Sequence, residues 1–409
     1  MVTLGFLTSV RTITYTITVA LFGVVLTFFL ISLAYQLLKA LWVRVKARAR
    51  RRVLHSLIGF MLDESEIKEN SDRYRNRNIL IDGFATLISS IKGQKQERMK
   101  SAVNALGLVK VLHRWLRNLL PSRRMRACYL LGLMKSRASI ENLSAILLDS
   151  NPAVVSAAIV AMGEIRDSLT VPALVRFYNR ARFSHAWLIA AILPIFGETI
   201  YEHIRPSLLS EGLPNEKKVL LLKVVANLRI GESFNDLCGL YLSSNDLDIR
   251  VNALKAIGSI NDLSAVKLVF DALTDEAWEI RAVSCNIVGE MSLKGAAYRL
   301  IPLLKDRNYY VRRNAARALL GLGQLGIMTL VSYLEIDDRY ARDAIVQTLE
   351  EYAVVDRALE DASCDDPERR KECRQILRTI VQKGYTEYLS NFTDSHPLAQ
   401  ELIREYAHA

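Results

Sequence analysis

One sequence template recurs along this chain in steps of 31 residues, and few folds accommodate such a register. It reads at 151–163, 245–258, 277–289 and 308–320. One column holds Arg124, Val155, Arg250, Arg281 and Arg312. Three residues on stand Ala127, Ala158, Ala253, Ser284 and Ala315, and five further on Gly132, Gly163, Gly258, Gly289 and Leu320. Looser copies lie at 187–197 and 218–226, with degenerate ones at 99–107 and 341–346.

Each column has a physical reading. The apolar residue before the Arg column (Ile249, Ile280, Val311) and the small residue three positions past the Arg lie about one helical turn apart and share a face. Small side chains there admit a close neighbouring helix. A glycine near the helix end fits a C-cap. A second apolar helix follows each first one, at 171–175, 265–270 and 300–304. Pro172 suits a first helical turn, whereas Pro302 falls inside its helix and is expected to kink it. The fold expected is an all-α solenoid of stacked helix pairs.

The pattern Asp/Asn-x-x-Val/Ile-Arg-x-x-Ala-x-x-Ala-Leu-Gly resembles the short HEAT repeats of phycobilisome lyases, across roughly residues 95 to 355. Tetratricopeptide and ankyrin repeats fit worse in period and signature. The segment 181–243 departs by lacking the Arg. The resemblance implies an armadillo-like HEAT-repeat α-solenoid, and with it a second functional possibility, a bilin-lyase-like enzyme or chaperone.

Ahead of the repeats, Thr12 to Leu38 is a run of 27 residues without a charged side chain, longer than the roughly 20 needed to cross a bilayer. Tyr15, Tyr35 and Trp42 lie near its ends, where amphipathic aromatics favour headgroups. A cleaved signal peptide ending at Ser32-Leu33-Ala34 would need a shorter apolar run with charge before it. Only Arg11 precedes the run, while Lys39, Arg44, Lys46, Arg48, Arg50, Arg51 and Arg52 follow it. The positive-inside rule then expects a single-pass inner-membrane protein with its N-terminus outside and its solenoid cytoplasmic. Arg44, Lys46, Arg48, Arg50, Arg51 and Arg52 form a candidate contact with anionic lipid headgroups. The expected organisation is an outer tail at 1–11, a transmembrane helix at 12–42 and a basic collar with linker helix at 43–78. The solenoid follows at 79–390 and a C-terminal tail at 391–409.

The net charge of +11 invites a nucleic-acid reading, but eight basic residues and no acids precede residue 53, which leaves +3 beyond it. The excess is largely juxtamembrane, and this disfavours nucleic acid as a partner. A further gradient runs along the repeats. From Lys92 to Arg137 there are twelve basic residues and one acid; from Glu335 to Asp366 there are eleven acids and three basic residues.

Asp275, Asp306 and Asp337 recur one period apart before each first helix, where a carboxylate can accept helix N–H groups and pair with an Arg of the next column. Trp278, Tyr309 and Tyr340 keep the same spacing, with Tyr310 adjacent. With Arg250, Arg281, Arg312 and Arg342 they form a candidate protein-binding ridge, since Trp, Tyr and Arg dominate interface hot spots.

No nucleophile elbow, phosphate loop or dinucleotide fingerprint is present, and the six histidines lack metal-ligand spacing. The five cysteines show no C-x-x-C pair and read as small core residues in a reducing compartment. The expectation is therefore a scaffold or adaptor with no catalytic, cofactor or metal residues and no small-molecule substrate. Its partner is expected to be a membrane-associated protein, such as an inner-membrane enzyme or transporter of envelope polysaccharide synthesis.

Overall fold

A computed structural model describes residues 2–61, 77–88, 91, 93–334, 337–382 and 396–407. Among these residues the chain is helix joined by turns and short 3-10 segments, without a strand. It falls into two compact units, Met1–Thr170 and Val171–Ala409.

In the first unit, α1 (Val2–Met61) runs unbroken through the stretch expected to hold a tail, a membrane span and the start of a linker. Residues 62–76 of that linker lie outside the described residues. From Leu21 to Val45 the apolar side chains of α1 are exposed, and by length and composition this part can cross a membrane. The character then changes: Val53 and Leu57 are buried against α2 (Arg77–Ile88), where Gly83 leaves room for both. The unit continues with α3 (Gln94–Ala105), α4 (Leu108–Leu116), α5 (Pro121–Leu133), α6 (Ile140–Ile146) and α7 (Pro152–Ile165).

The second unit opens with α8 (Val171–Arg180), α9 (Phe183–Ile192), α10 (Tyr201–Leu209), α11 (Asn215–Leu228) and α12 (Phe234–Ser243). It continues through α13 (Leu247–Ile260), α14 (Val266–Ala272), α15 (Trp278–Glu290), α16 (Ala297–Leu300), α17 (Tyr309–Gly321) and α18 (Gln324–Ser332). It closes with α19 (Arg339–Glu351), α20 (Val354–Asp361), α21 (Pro367–Gln382) and α22 (Pro397–Ala407). The segment read as a C-terminal tail therefore contains a helix, α22, with Ala399 and Leu402 buried. Residues 391–395 of that tail lie outside the described residues. Pro302, expected inside its helix as a kink, stands instead in the first turn of a 3-10 segment, Ile301–Lys305, that follows α16 (Ala297–Leu300).

The small-residue column is the helix contact surface: Ala127, Ala158, Ala253, Ser284 and Ala315 are all fully buried. Ser284 satisfies its hydroxyl by donating to the Val269 carbonyl of α14. The glycine column is not a capping column. Helices end instead on left-handed Arg166, Arg229 and Asn261, with φ of 56°, 52° and 60°. The glycines lie within the last helical turn and let the next first helix touch backbone. A Cβ on Gly132 would stand 2.8 Å from Ala161 Cα, and one on Gly289 2.9 Å from Ala318 Cα.

The arginine column ties repeats together. Arg281 donates to the carbonyls of Asp275 and Glu276 just before its own helix, at 2.8 and 2.9 Å. It then pairs with Asp306 of the next repeat through Nε and Nη2 at 2.7 and 2.9 Å. Arg124 repeats the arrangement with Asn118 O, Leu119 O and Asp149, and Arg250 pairs with Asp275. The aspartates accept a loop N–H two residues on, Asp275 from Ala277 and Asp306 from Asn308. The helix caps proper are Asn151, Asp246, Asn308 and Asp338.

The repeat built on α9 and α10 has Ala186 where the Arg would stand. Its pre-helix carbonyls are satisfied from the next repeat. Lys217 of α11, nearly fully buried, donates through Nζ to Tyr178 O, Asn179 O and Ala181 O at 3.1, 3.2 and 2.7 Å. Burial pushes the Lys217 ammonium below the usual lysine range.

The ladder carries an expected acid sensitivity. Burial alone would raise Asp149 and Asp306, but hydrogen bonds from Arg124 and Arg281, then from the Asn151 and Asn308 amides, outweigh it and hold both carboxyls below 3.8. A carboxyl depressed by folding stabilises the protein above its unfolded pKa and stops doing so as pH falls through its folded one. The denaturant midpoint of the full chain is expected to hold above pH 3.8 and fall below it. Asp306→Asn is expected to flatten that fall.

Candidate functional site

First helices α15, α17 and α19 present one continuous surface. On α17, Tyr309, Arg313 and Arg317 follow at four-residue steps and so form a single stripe. Gln347 and Glu351 make the matching stripe on α19. Tyr309 donates its hydroxyl to Gln347 Oε1 at 2.9 Å, and Gln347 Nε2 donates to Glu351 Oε1 at 3.2 Å. Arg313 and Arg317 then share Glu351, at 2.7 and 2.8 Å. These two guanidinium groups, Arg317 first, keep the Glu351 carboxyl below the usual range.

At one end of this surface the aromatic residues singled out from the sequence come together. Trp278 stacks on Tyr310 with centroids 5.5 Å apart, and Tyr309 meets Tyr310 edge-on at 5.6 Å. Arg312 sits between Tyr309 and Tyr340, 6.0 and 5.3 Å from their ring centroids. All four rings are exposed, Tyr340 most, at 67%. The arginines behave differently. Arg250 and Arg281 are engaged in the ladder, and Arg312 is buried with Nη1 on Asp306 O and Arg307 O. Arg342 is half-buried in the first turn of α19. The accessible ridge is therefore aromatic, with its arginine column serving mainly the fold.

At the other end lies an open groove of about 510 Å³. It is lined by Asn286, Gly289 and Glu290 of α15, by Arg317, Ala318, Leu320 and Gly321 of α17, and by Tyr352 at the end of α19; Gly289 packs closely on Ala318 and Gly321. Arg317 lies 5.9 Å from the Tyr352 ring centroid. The sequence reading missed this groove, although the four-residue spacing of Tyr309, Arg313 and Arg317 was the available signal.

Elsewhere, His113 Nε2 lies 2.8 Å from Ser139 Oγ, which donates to Ser136 Oγ at 2.8 Å. The pair resembles a base and nucleophile, but Ser139 is wholly buried and beyond a substrate's reach, so it braces α4. Burial, and then Arg117, lower the His113 pKa. Among the described residues no cluster of His, Cys, Asp or Glu has the arrangement to hold a metal ion. Cys128 and Cys285 are core residues whose thiols burial pushes up to about 12. On α1, the collar residues Arg44, Lys46, Arg48, Arg50, Arg51 and Arg52 are exposed. Arg50 donates to Thr86 Oγ1 at 3.0 Å, and Lys46 lies over Trp42 at 5.0 Å.

Comparison with known proteins finds likenesses over parts of the chain. The family of HEAT repeats matches at residues 109–191 and 235–320. The "Bilin biosynthesis protein MpeU" of Synechococcus sp. (strain WH8020) is 39% identical over 84 residues, which are 19% of this chain and 28% of that protein. Among solved structures, the CpcE–CpcF complex of phycocyanin lyase from Nostoc sp. PCC7120 aligns at 16% identity and a TM-score of 0.30. That alignment covers 59% of this chain and 94% of the other. Kap121p aligns at 11% identity and a TM-score of 0.47, covering 87% and 46%. Residues 109–191 and 235–320 thus match HEAT repeats, within a chain whose described residues are all-helical. The expectation of a non-enzymatic protein is overturned by the likeness to a protein of bilin biosynthesis. A repeat array builds its sites from side chains on successive helices, so no local catalytic motif was there to find.

Proposed function

We propose that this chain is a bilin-lyase-like HEAT-repeat protein, acting on a bilin and an acceptor protein that meet on the face of α15, α17 and α19. The observation that carries this reading is the 39% identity over 84 residues with a bilin biosynthesis protein. The exposed aromatic edge of Trp278, Tyr309, Tyr310 and Tyr340 supports it, because rigid amphipathic rings suit a protein partner. The test is production of the full chain together with a bilin supply and candidate acceptor phycobiliproteins. Covalent colour on an acceptor, read by zinc-enhanced fluorescence after denaturing electrophoresis, is the expected result. Acceptors that stay colourless in every combination would sink the reading.

The same protein is proposed to be tethered, with α1 in the inner membrane, its N-terminus outside and the solenoid that follows cytoplasmic. The exposed apolar surface from Leu21 to Val45 and the seven basic residues that follow the uncharged run support this orientation. Anionic headgroups are the proposed contact of Arg44, Lys46, Arg48, Arg51 and Arg52. The chain is expected to stay in the membrane pellet after alkaline extraction, and its release into the supernatant would refute the tether.

A further inference from the structure

We infer that the groove beside Tyr352 seats the bilin itself: Arg317 takes a propionate, Glu290 takes pyrrole N–H groups, and Tyr352 lies along the ring plane. The inference rests on the bilin reading above and goes beyond it by naming the ligand's site. A bilin is a flat open-chain tetrapyrrole, with N–H donors along one edge and two propionate carboxylates on the other. The groove offers matching chemistry from two helices, a carboxylate on α15 and a guanidinium on α17. Its volume of about 510 Å³ lies inside the span of small-molecule sites, about 300–1,000 Å³.

The lining suits a flat molecule. Gly289, Ala318 and Gly321 bring α15 and α17 into backbone contact, so small residues and Leu320 make the apolar part of the lining. Arg317 keeps part of its guanidinium side chain open: Nη2 serves Glu351, and the side chain as a whole is 35% exposed. Because Arg313 already pairs with the same Glu351, that carboxylate is balanced without Arg317, which a ligand carboxylate can engage with a net gain in charge pairing. The groove also shares its helices with the aromatic edge, so ligand and acceptor protein would occupy one face.

The experiment is a titration of the full chain, purified in detergent, with biliverdin and with biliverdin dimethyl ester, followed by absorbance and induced circular dichroism. The variants are Arg317→Gln, Glu290→Gln and Asn286→Trp, each checked by its thermal melt. Asn286 is exposed, so Asn286→Trp fills the groove without removing core packing. Biliverdin is expected to bind wild type, with affinity lowered roughly 10-fold or more in Arg317→Gln and lost in Asn286→Trp. The ester is expected to bind weakly and to be indifferent to Arg317→Gln. Biliverdin affinity unchanged in all three variants would overturn the site while leaving the lyase reading intact. Failure of wild type to bind biliverdin would also overturn the site, and the attachment assay would then decide the lyase reading separately. Preference for an acidic peptide over biliverdin, lost in Arg317→Gln, would overturn it in favour of a protein ligand.

Discussion

Lys217→Met is expected to destabilise the second unit by roughly 3–5 kcal/mol, a large share of the stability of most domains. The methionine fills the space of the lysine stem but donates nothing. Three carbonyls around the C-terminal end of α8 then lose their donor, and each orphaned buried group costs about 1–3 kcal/mol. The helix dipole, which favours a cation at that end, loses its counter-charge as well. Tyr178→Phe tests the same locus more gently. It removes only the 2.7 Å hydrogen bond from the Tyr178 hydroxyl to Lys217 O, at about 1 kcal/mol. Denaturant unfolding of both variants measures the contrast. Near-equal losses would mean that Lys217 acts by packing alone.

Gly289→Val is expected to cost about 3 kcal/mol, the upper end of ordinary overpacking, and Gly132→Val a comparable amount. In both cases the added Cβ meets the backbone of the next first helix, at Ala318 Cα or Ala161 Cα, and a rigid helix has to move. At Gly258 the obstacle is Ile287, a buried β-branched residue that a helix holds at one χ1, so Gly258→Ala should be destabilising as well. Thermal unfolding of the alanine variants at positions 132, 258 and 289 measures this. Unchanged melts would contradict an origin in close helix approach.

The repeat register, the buried small-residue column and the Arg–Asp pairing were legible in the sequence because each recurs at a fixed step. What escaped has different physical origins. The glycine column looked like capping because it lies near helix ends, and only the inter-helix spacing shows that it serves close approach. Lys217 was hidden beside Lys218, although it shares a helical face with the buried Leu221 and Val224. In a repeat without its arginine, a lysine from the following repeat does similar work on an overlapping set of carbonyls. Such a compensation crosses a repeat boundary and cannot be read from any single copy. The groove was missed for a related reason: Glu290, Arg317 and Tyr352 come from three successive repeats and match no column.

The unbroken course of α1 fixes more than an attachment point. From Leu38, where the uncharged run ends, to Val53, the first buried residue, the helix rises about 22 Å at 1.5 Å per residue. With α1 seated in a bilayer as proposed, the rest of the first unit, from α2 on, is held at that height and at a set compass bearing about the helix axis. One residue inserted between Lys39 and Arg52 would swing the docked unit by about 100° while lifting it only about 1.5 Å. Seven residues would restore the bearing to within about 20° and raise the unit about 10 Å. The stalk therefore separates reach from heading.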